Sequence, residues 1–239
     1  MSCLVKITTI AFLAGTVGTG LGGLVTFLWG TVSDRAVSRL WGLAAGIMSA
    51  IVLVDLFPQA LAYGGWGYLF SGGLGGVLLL KFISAYFKAE FRAGYIQIGL
   101  LLGLGIALHN LPEGLAIGAG YIAEAQLGLG LAVVMALHNL PEGLSMAVPL
   151  RLGGWRGQKI LLYTILPGLP MGLGALLGAV LGTVSRLTLA ATLSLAGGGM
   201  LYLIIFELLP GAYSFNYGLE ASQGLVLGFS LGLLLVILL

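Results

Sequence analysis

The feature that most constrains this chain is a succession of long apolar stretches separated by short connections. A helix needs about 20 apolar residues to cross a bilayer, and eight stretches reach that length. We place helices at residues 4–29, 40–60, 64–86, 96–119, 127–149, 159–183, 188–212 and 219–239. The pattern predicts an all-α membrane protein with eight transmembrane helices, in a single transmembrane domain over residues 1–239.

Charged side chains are too few to cover the surface of a soluble domain. They make up 8% of the residues, against 59% hydrophobic residues, whereas an ordinary soluble domain is about 25% charged. The net charge of +2 does not indicate a nucleic-acid partner, and a single cysteine, Cys3, leaves no internal disulfide. The first apolar run continues to Trp29, beyond the roughly 7–15 residues of a signal-peptide core, so we interpret it as a retained helix.

Basic residues are distributed unevenly between the two sets of connections. Lys6 and Arg186 lie on one side of the predicted bundle. The other eight lie in or near the connections after helices 1, 3 and 5: Arg35, Arg39, Lys81, Lys88, Arg92, Arg151, Arg156 and Lys159. Because cytoplasmic loops carry the excess of lysine and arginine, we expect both termini on the non-cytoplasmic side of the cell (inner) membrane.

The nine-residue sequence ALHNLPEGL occurs twice, at 107–115 and 136–144, and these two copies contain the only histidines. Within each copy the histidine and the glutamate are four residues apart, so they share one face of a helix. Imidazole, amide oxygen and carboxylate are suitable ligands for a divalent transition metal. The candidate metal ligands are His109, Asn110, Glu113, His138, Asn139 and Glu142.

The spacing of the two copies predicts that they meet. A short connection near residues 120–126 makes helices 4 and 5 antiparallel, which places His109 level with Glu142 and Glu113 level with His138. Two carboxylates within a membrane are expensive unless a cation offsets them. The alternative is that the polar groups of two proline-containing helices only bond to each other; two superposable copies at one depth favour the metal site.

A second repeat relates helices 2 and 7. Residues 43–60 resemble residues 195–212 with a constant offset of 152. The matched pairs are Met48 with Met200, Asp55 with Glu207, and Pro58 with Pro210. Because helices 2 and 7 cross in opposite directions, we predict an inverted repeat of helices 1–3 and 6–8 around a central hairpin of helices 4 and 5, a common build of secondary transporters.

Together, the eight spans, the doubled HNLPEG, DLFP at 55–58 and ELLP at 207–210 resemble the prokaryotic type of the ZIP (Zrt/Irt-like) metal transporter family. The resemblance implies a transporter, not an enzyme, that carries zinc or a related divalent metal into the cytoplasm as substrate, with no cofactor. It also implies that the six motif residues bind the metal, that Met48 adds a ligand as in some members, and that helices 1, 4, 5 and 6 shift like an elevator.

Two departures from the family pattern change the expectation. Where many members have a glutamate on helix 6, this chain reads PGLPMGLGA, with Met171 at that position. This removes a carboxylate from a second, bridged metal position, so we predict one tightly bound ion. The connection FKAEFRAGY at 87–95 lacks the histidine-rich loop of many eukaryotic members.

For some candidate residues the sequence leaves a second role open. Asp55 and Glu207, one on each side of the central site, are predicted to line the transport path together with Met171; the alternative is that each acid accepts hydrogen bonds near a proline-bounded helix end. Met48 is equally typical of a flexible gap-filling side chain.

For function, the alternatives are a divalent-cation channel and, less favoured, a membrane-embedded hydrolase, which would need HExxH where this chain has HNLPE. Zinc is the first expectation for the metal, and iron, manganese, cobalt or cadmium suit the same ligands. The expected partners are divalent metal ions and the lipid bilayer, and the glycine-rich faces would allow a homodimer.

Overall fold

Helices account for nearly all of the residues that the computed structural model describes, 3–28, 33–90, 94–181 and 185–237, and none of those residues is in a strand. The described residues contain ten α-helices: α1 Cys3–Leu28, α2 Asp34–Ala50, α3 Phe57–Glu90, α4 Tyr95–Ala123, α5 Ala125–Leu152, α6 Gly157–Ile165, α7 Leu169–Leu181, α8 Arg186–Leu203, α9 Leu209–Tyr213 and α10 Gly218–Ile237. The all-α prediction is confirmed. The predicted helix ends at 29, 183 and 239, and Arg92, lie outside the described residues.

Seven helical stretches in the described part of the chain are long and apolar enough to cross a membrane, where the sequence predicts eight. The difference lies at Asp34–Tyr86, a single stretch of 53 residues that contains both predicted helices 2 and 3. At about 1.5 Å per residue it would measure roughly 80 Å if straight. It is kinked at Gly65, whose φ of 71° and ψ of −176° form a conformation that side chains disfavour and glycine tolerates.

Two π-helical segments interrupt the α-helical backbone, at Ile51–Leu56 between α2 and α3 and at Ile204–Leu208 between α8 and α9. Each is closed by an N–H that bonds to the carbonyl five residues earlier, donated by the residue just before Pro58 or Pro210. Proline has no N–H and its ring crowds the carbonyl four residues earlier, which accounts for the shift in bonding. The two segments that resemble each other in sequence therefore carry the same distortion at matched positions.

The helices group into two bundles. The first, which we call the site bundle, contains α1, α4, α5, α6 and α7, whose most extensive contacts are α4 with α7 and α1 with α5. In the second bundle, α2 packs mainly on α10 and α3 mainly on α8. Glycine permits the closest crossings: a Cβ on Gly114 of α4 would lie 2.0 Å from the Met171 carbonyl oxygen of α7.

Candidate metal site

The two HNLPEG copies face each other across a very tight hairpin. Helices α4 and α5 are separated by Glu124 alone, in an extended conformation with φ −153° and ψ 121°. This connection is shorter than the predicted loop at 120–126, because both helices continue further than their hydropathy indicates. The antiparallel pairing of α4 with α5 follows from this turn.

Each histidine lies beside the glutamate of the other copy. His109 Nε2 is 3.0 Å from Glu142 Oε2, and His138 Nε2 is 3.2 Å from Glu113 Oε1. All four residues are buried, none with more than 5% of its surface exposed. The ligand atoms of His109, Glu113 and His138 lie within 4.8 Å of one another, close enough to share one ion. These are the two pairs that the repeat spacing predicts.

The site contains buried oxygen atoms that accept no hydrogen bond from the described part of the protein. No hydrogen-bond partner there reaches Oε2 of Glu113, Oε1 of Glu142, Oδ1 of Asn110 or Oδ1 of Asn139. His138 Nε2, although 3.2 Å from Glu113 Oε1, makes no hydrogen bond within the described residues. Buried acceptors left unsatisfied are destabilising, and a divalent cation would satisfy several of them together.

The hydrogen bond of His109 fixes which ring nitrogen faces the site. Its Nδ1 lies 3.1 Å from the Gly105 carbonyl oxygen, and because a carbonyl only accepts, Nδ1 carries the hydrogen. In the neutral ring Nε2 then presents a lone pair to Glu142 Oε2, 3.0 Å away. Two acceptors this close require a proton or a metal ion between them. A histidine that binds a metal through one ring nitrogen commonly donates a hydrogen bond from the other, as His109 does to Gly105, and this bond fixes the orientation of the ring.

The two motif asparagines have different neighbours. Asn110 Nδ2 donates a 2.8 Å hydrogen bond to the carbonyl oxygen of Pro167, in the 3₁₀ turn Leu166–Gly168 between α6 and α7. Asn139 Nδ2 lies 4.0 Å from Met171 Sδ on α7. The structure thus brings Met171, which is fully buried, next to the second motif copy.

A cavity of about 410 Å³ opens beside one end of the site, between the two bundles. Its lining includes Glu113 and His138 from the site, together with Asp55, Gln59 and Tyr63 from the second bundle. Asp55 is partly exposed and accepts a hydrogen bond from Gln59 Nε2. One predicted path acid therefore shares a cavity with half of the candidate metal site.

Glu207, the other predicted path acid, does not line this cavity. It is buried, with 7% of its surface exposed, and accepts a 3.5 Å hydrogen bond from Ser84 Oγ. Away from the cavity, α4 and α5 continue with buried apolar side chains that belong to one cluster with Leu203 of α8; they include Leu102, Ile106, Met146 and Leu150. The site is open toward Asp55 and closed by apolar packing on its other side.

Comparisons with known proteins agree with this arrangement. The family described as "ZIP Zinc transporter" matches residues 88–239, more than half of the chain. The chain belongs to the ZIP zinc transporter family. It is therefore a membrane transporter rather than an enzyme, as the motifs predict.

The ZIP relatives cover nearly the whole chain. A protein named zinc transporter ZupT from Chlorobium limicola is 34% identical, with 92% of each chain covered. ZupT from Shigella flexneri is 32% identical over 96% of this chain and 95% of its own. ZupT from Streptococcus mutans is 30% identical over 90% of both. The similarity therefore extends beyond the residues matched to the family.

One predicted ligand lies outside the two motif copies, and one contact of the site was not predicted from the sequence. Met48 is buried in the apolar cluster that the two bundles share, and its role as a ligand stays a prediction. The Pro167 carbonyl was missed, because a backbone contact leaves no side-chain signature. The only signal was the sequence LPGLP at 166–170, whose two prolines indicate an interrupted helix.

Proposed function

We propose that this ZIP transporter carries divalent transition-metal ions, zinc first, across the membrane into the cytoplasm. The proposed binding site consists of His109, Asn110, Glu113, His138, Asn139 and Glu142. The observation that carries the proposal is the pair of crossed His–Glu contacts, at 3.0 and 3.2 Å, surrounded by buried oxygens without a donor. Zinc is favoured because the relatives are named zinc transporters, while iron, manganese, cobalt and cadmium accept the same ligands.

Charge limits the number of ions that the site can hold. Glu113 and Glu142 together neutralise one divalent ion when both imidazoles are neutral. A second ion would leave a formal charge of +2 among buried groups, and the neighbouring Asn139 and Met171 add no carboxylate. Since uncompensated charge in a buried site is strongly unfavourable, we infer one tightly bound ion.

We further infer eight crossings, with Asp34–Tyr86 turning at Gly65. The stretch is too long for one crossing, and the second repeat has a comparable break: Asn216, between α9 and α10, has a φ of 60° beside the 71° of Gly65. With both termini outside the cytoplasm, helix α2 runs outward from Arg35 and Arg39. The cavity at Asp55 then opens to the outside, which makes it the route by which metal reaches the site.

A carrier is supported over the divalent-cation channel that the sequence leaves open. A channel needs a continuous polar path, whereas apolar side chains around Leu203 fill the region on the other side of the site. The helices of the site bundle are those that the family resemblance implies would move together. Movement of the site bundle against the second bundle would close the outer cavity and expose the bound metal to the cytoplasm.

Zinc uptake by liposomes that contain the purified protein tests the proposal. We expect saturable uptake and counterflow of labelled zinc, and loss of most uptake in the double variant Glu113→Gln/Glu142→Gln. The variant Glu124→Gln is the matched control, because it removes an acid of the same hairpin outside the site. Near-normal uptake by the double variant would refute the site, and saturable uptake without counterflow would refute the carrier.

A further inference from the structure

We propose that the interrupted helix α6–α7 sets the orientation of the two motif asparagines unequally, so that Asn110 is locked as an oxygen ligand while Asn139 is free to turn. The inference rests on the metal site proposed above and extends it. It assigns a positioning role to the 3₁₀ turn Leu166–Gly168. It also predicts that Asn110 and Asn139, which occupy the same position in identical motifs, differ in the substitutions that they tolerate.

The orientation of Asn110 follows from the chemistry of its partner. The Pro167 carbonyl, 2.8 Å from Asn110 Nδ2, accepts hydrogen bonds and cannot donate one. Rotating the amide by half a turn would place Oδ1 against this carbonyl oxygen, acceptor against acceptor. The bond therefore keeps Oδ1 turned away from Pro167, where it is fully buried and has no partner within the described residues.

Helix α1 packs directly against the turn that supplies this carbonyl. A Cβ on Gly15 would lie 2.3 Å from the Gly168 carbonyl oxygen, so the two backbones are in direct contact. Within the turn, the Leu169 N–H bonds to the Leu166 carbonyl three residues back, the spacing of a tight 3₁₀ turn. The Pro167 carbonyl is thus fixed between α1 and α4.

Among the described residues, Asn139 has no comparable partner. Its Nδ2 lies 4.0 Å from Met171 Sδ, and a thioether sulfur is only a weak acceptor. Either end of the Asn139 amide can face Met171 with little difference in energy. A carboxylate at position 139 would meet a thioether, whereas a carboxylate at position 110 would meet the Pro167 carbonyl oxygen.

Aspartate substitutions separate this proposal from a simpler one. If both asparagines were equivalent neutral oxygen ligands, Asn110→Asp and Asn139→Asp would change zinc affinity alike, since each adds one negative charge. We expect Asn139→Asp to keep or lower the half-saturation concentration for zinc uptake in liposomes. We expect Asn110→Asp to raise it about tenfold or more, because a charged acceptor loses its donor and faces a carbonyl. Equal changes, or the reverse order, would overturn the proposal.

A double-mutant cycle tests the same idea without the aspartates. Gly15→Ala pushes the turn away from α1, so it should raise the half-saturation concentration about threefold or more in the wild-type background. It should have little further effect in the Asn110→Ala background, where no amide remains to be oriented. Independent effects of the two substitutions would indicate a merely structural role for the turn and overturn the proposal.

One control completes the experiment. The double variant Glu113→Gln/Glu142→Gln separates the two proposals. If it retains uptake, the metal site itself is wrong, whereas equal aspartate effects with that variant inactive refute only the orientation by α6–α7.

Discussion

The segments 43–60 and 195–212 have matching sequences and matching π-helical distortions, yet their acids lie in different surroundings. Asp55 borders a cavity that reaches Glu113 and His138. Glu207 is buried beside Leu208 and accepts a hydrogen bond from Ser84. The two similar segments thus differ in what covers them, which teaches that the candidate metal site is accessible from one side in this conformation. A carrier must exchange these surroundings between the two halves to release its ion.

The sharpest test of this difference is thiol labelling at two matched leucines. Leu56 lines the cavity with 3% of its surface exposed, whereas Leu208, its counterpart 152 residues later, does not line it and is fully buried, although both belong to one apolar cluster. In a Cys3→Ser background without metal, a water-soluble thiol reagent should modify Leu56→Cys and leave Leu208→Cys unmodified over the same period. Comparable labelling of both cysteines would show that the two segments are equally accessible and would contradict the comparison.

The next largest effect is expected from Glu207→Gln. This substitution keeps an acceptor for Ser84 but removes the charge, so it should slow release of metal on the packed side. We expect the maximal rate of zinc uptake to fall about tenfold, the effect of roughly 1.4 kcal/mol on a barrier, with little change in the half-saturation concentration. The same kinetic series in liposomes measures both values, and an unchanged maximal rate would remove Glu207 from the path.

The kink at Gly65 provides a smaller, structural effect. Its φ of 71° disfavours a side chain, although nothing lies within 4 Å of the place that a Cβ would occupy. Gly65→Ala should therefore lower thermal stability by about 1–3 kcal/mol. Gly67 also has free space but no positive φ, and Gly67→Ala should be neutral or stabilising by up to about 1 kcal/mol. Equal melting temperatures for the two variants would argue against a strained turn at Gly65.

The smallest effect is expected from Asp55→Asn. Gln59 can still bond to the amide oxygen, so the helix end should be preserved while the negative charge of the cavity is lost. We expect the half-saturation concentration for zinc to rise about threefold at low ionic strength, and less in high salt, because screening weakens attraction between exposed charges. If Asp55 serves only to cap its helix end, the kinetics of this variant will match those of wild type at both salt concentrations.

Sequence patterns were sufficient for the fold class and for the crossed pairs. Fixed helical spacing, together with a short connection, places His109 level with Glu142 whatever the details of the turn. The long apolar stretches likewise determine the all-α membrane class.

Other features depend on packing that no local pattern reports. The break in the long second stretch occurs at Gly65, although several neighbouring glycines offered equivalent positions and the prediction ended the helix at residue 60. The contact of Asn110 with the Pro167 carbonyl depends on how α1 supports the 3₁₀ turn. Asp55 and Glu207 occupy matched positions in similar sequences, so the sequence predicts similar surroundings for both. Their different surroundings belong to one conformation of the protein.

The most direct test of the account is the position of the bound metal. Crystals grown with zinc, measured at its absorption edge, should show one strong anomalous peak between α4 and α5. The ion should lie about 2.0–2.2 Å from ring nitrogens and carboxylate oxygens of His109, His138, Glu113 and Glu142. Two fully occupied peaks there would contradict the single-ion site, and a strongest peak elsewhere, with none between the crossed pairs, would contradict the site itself.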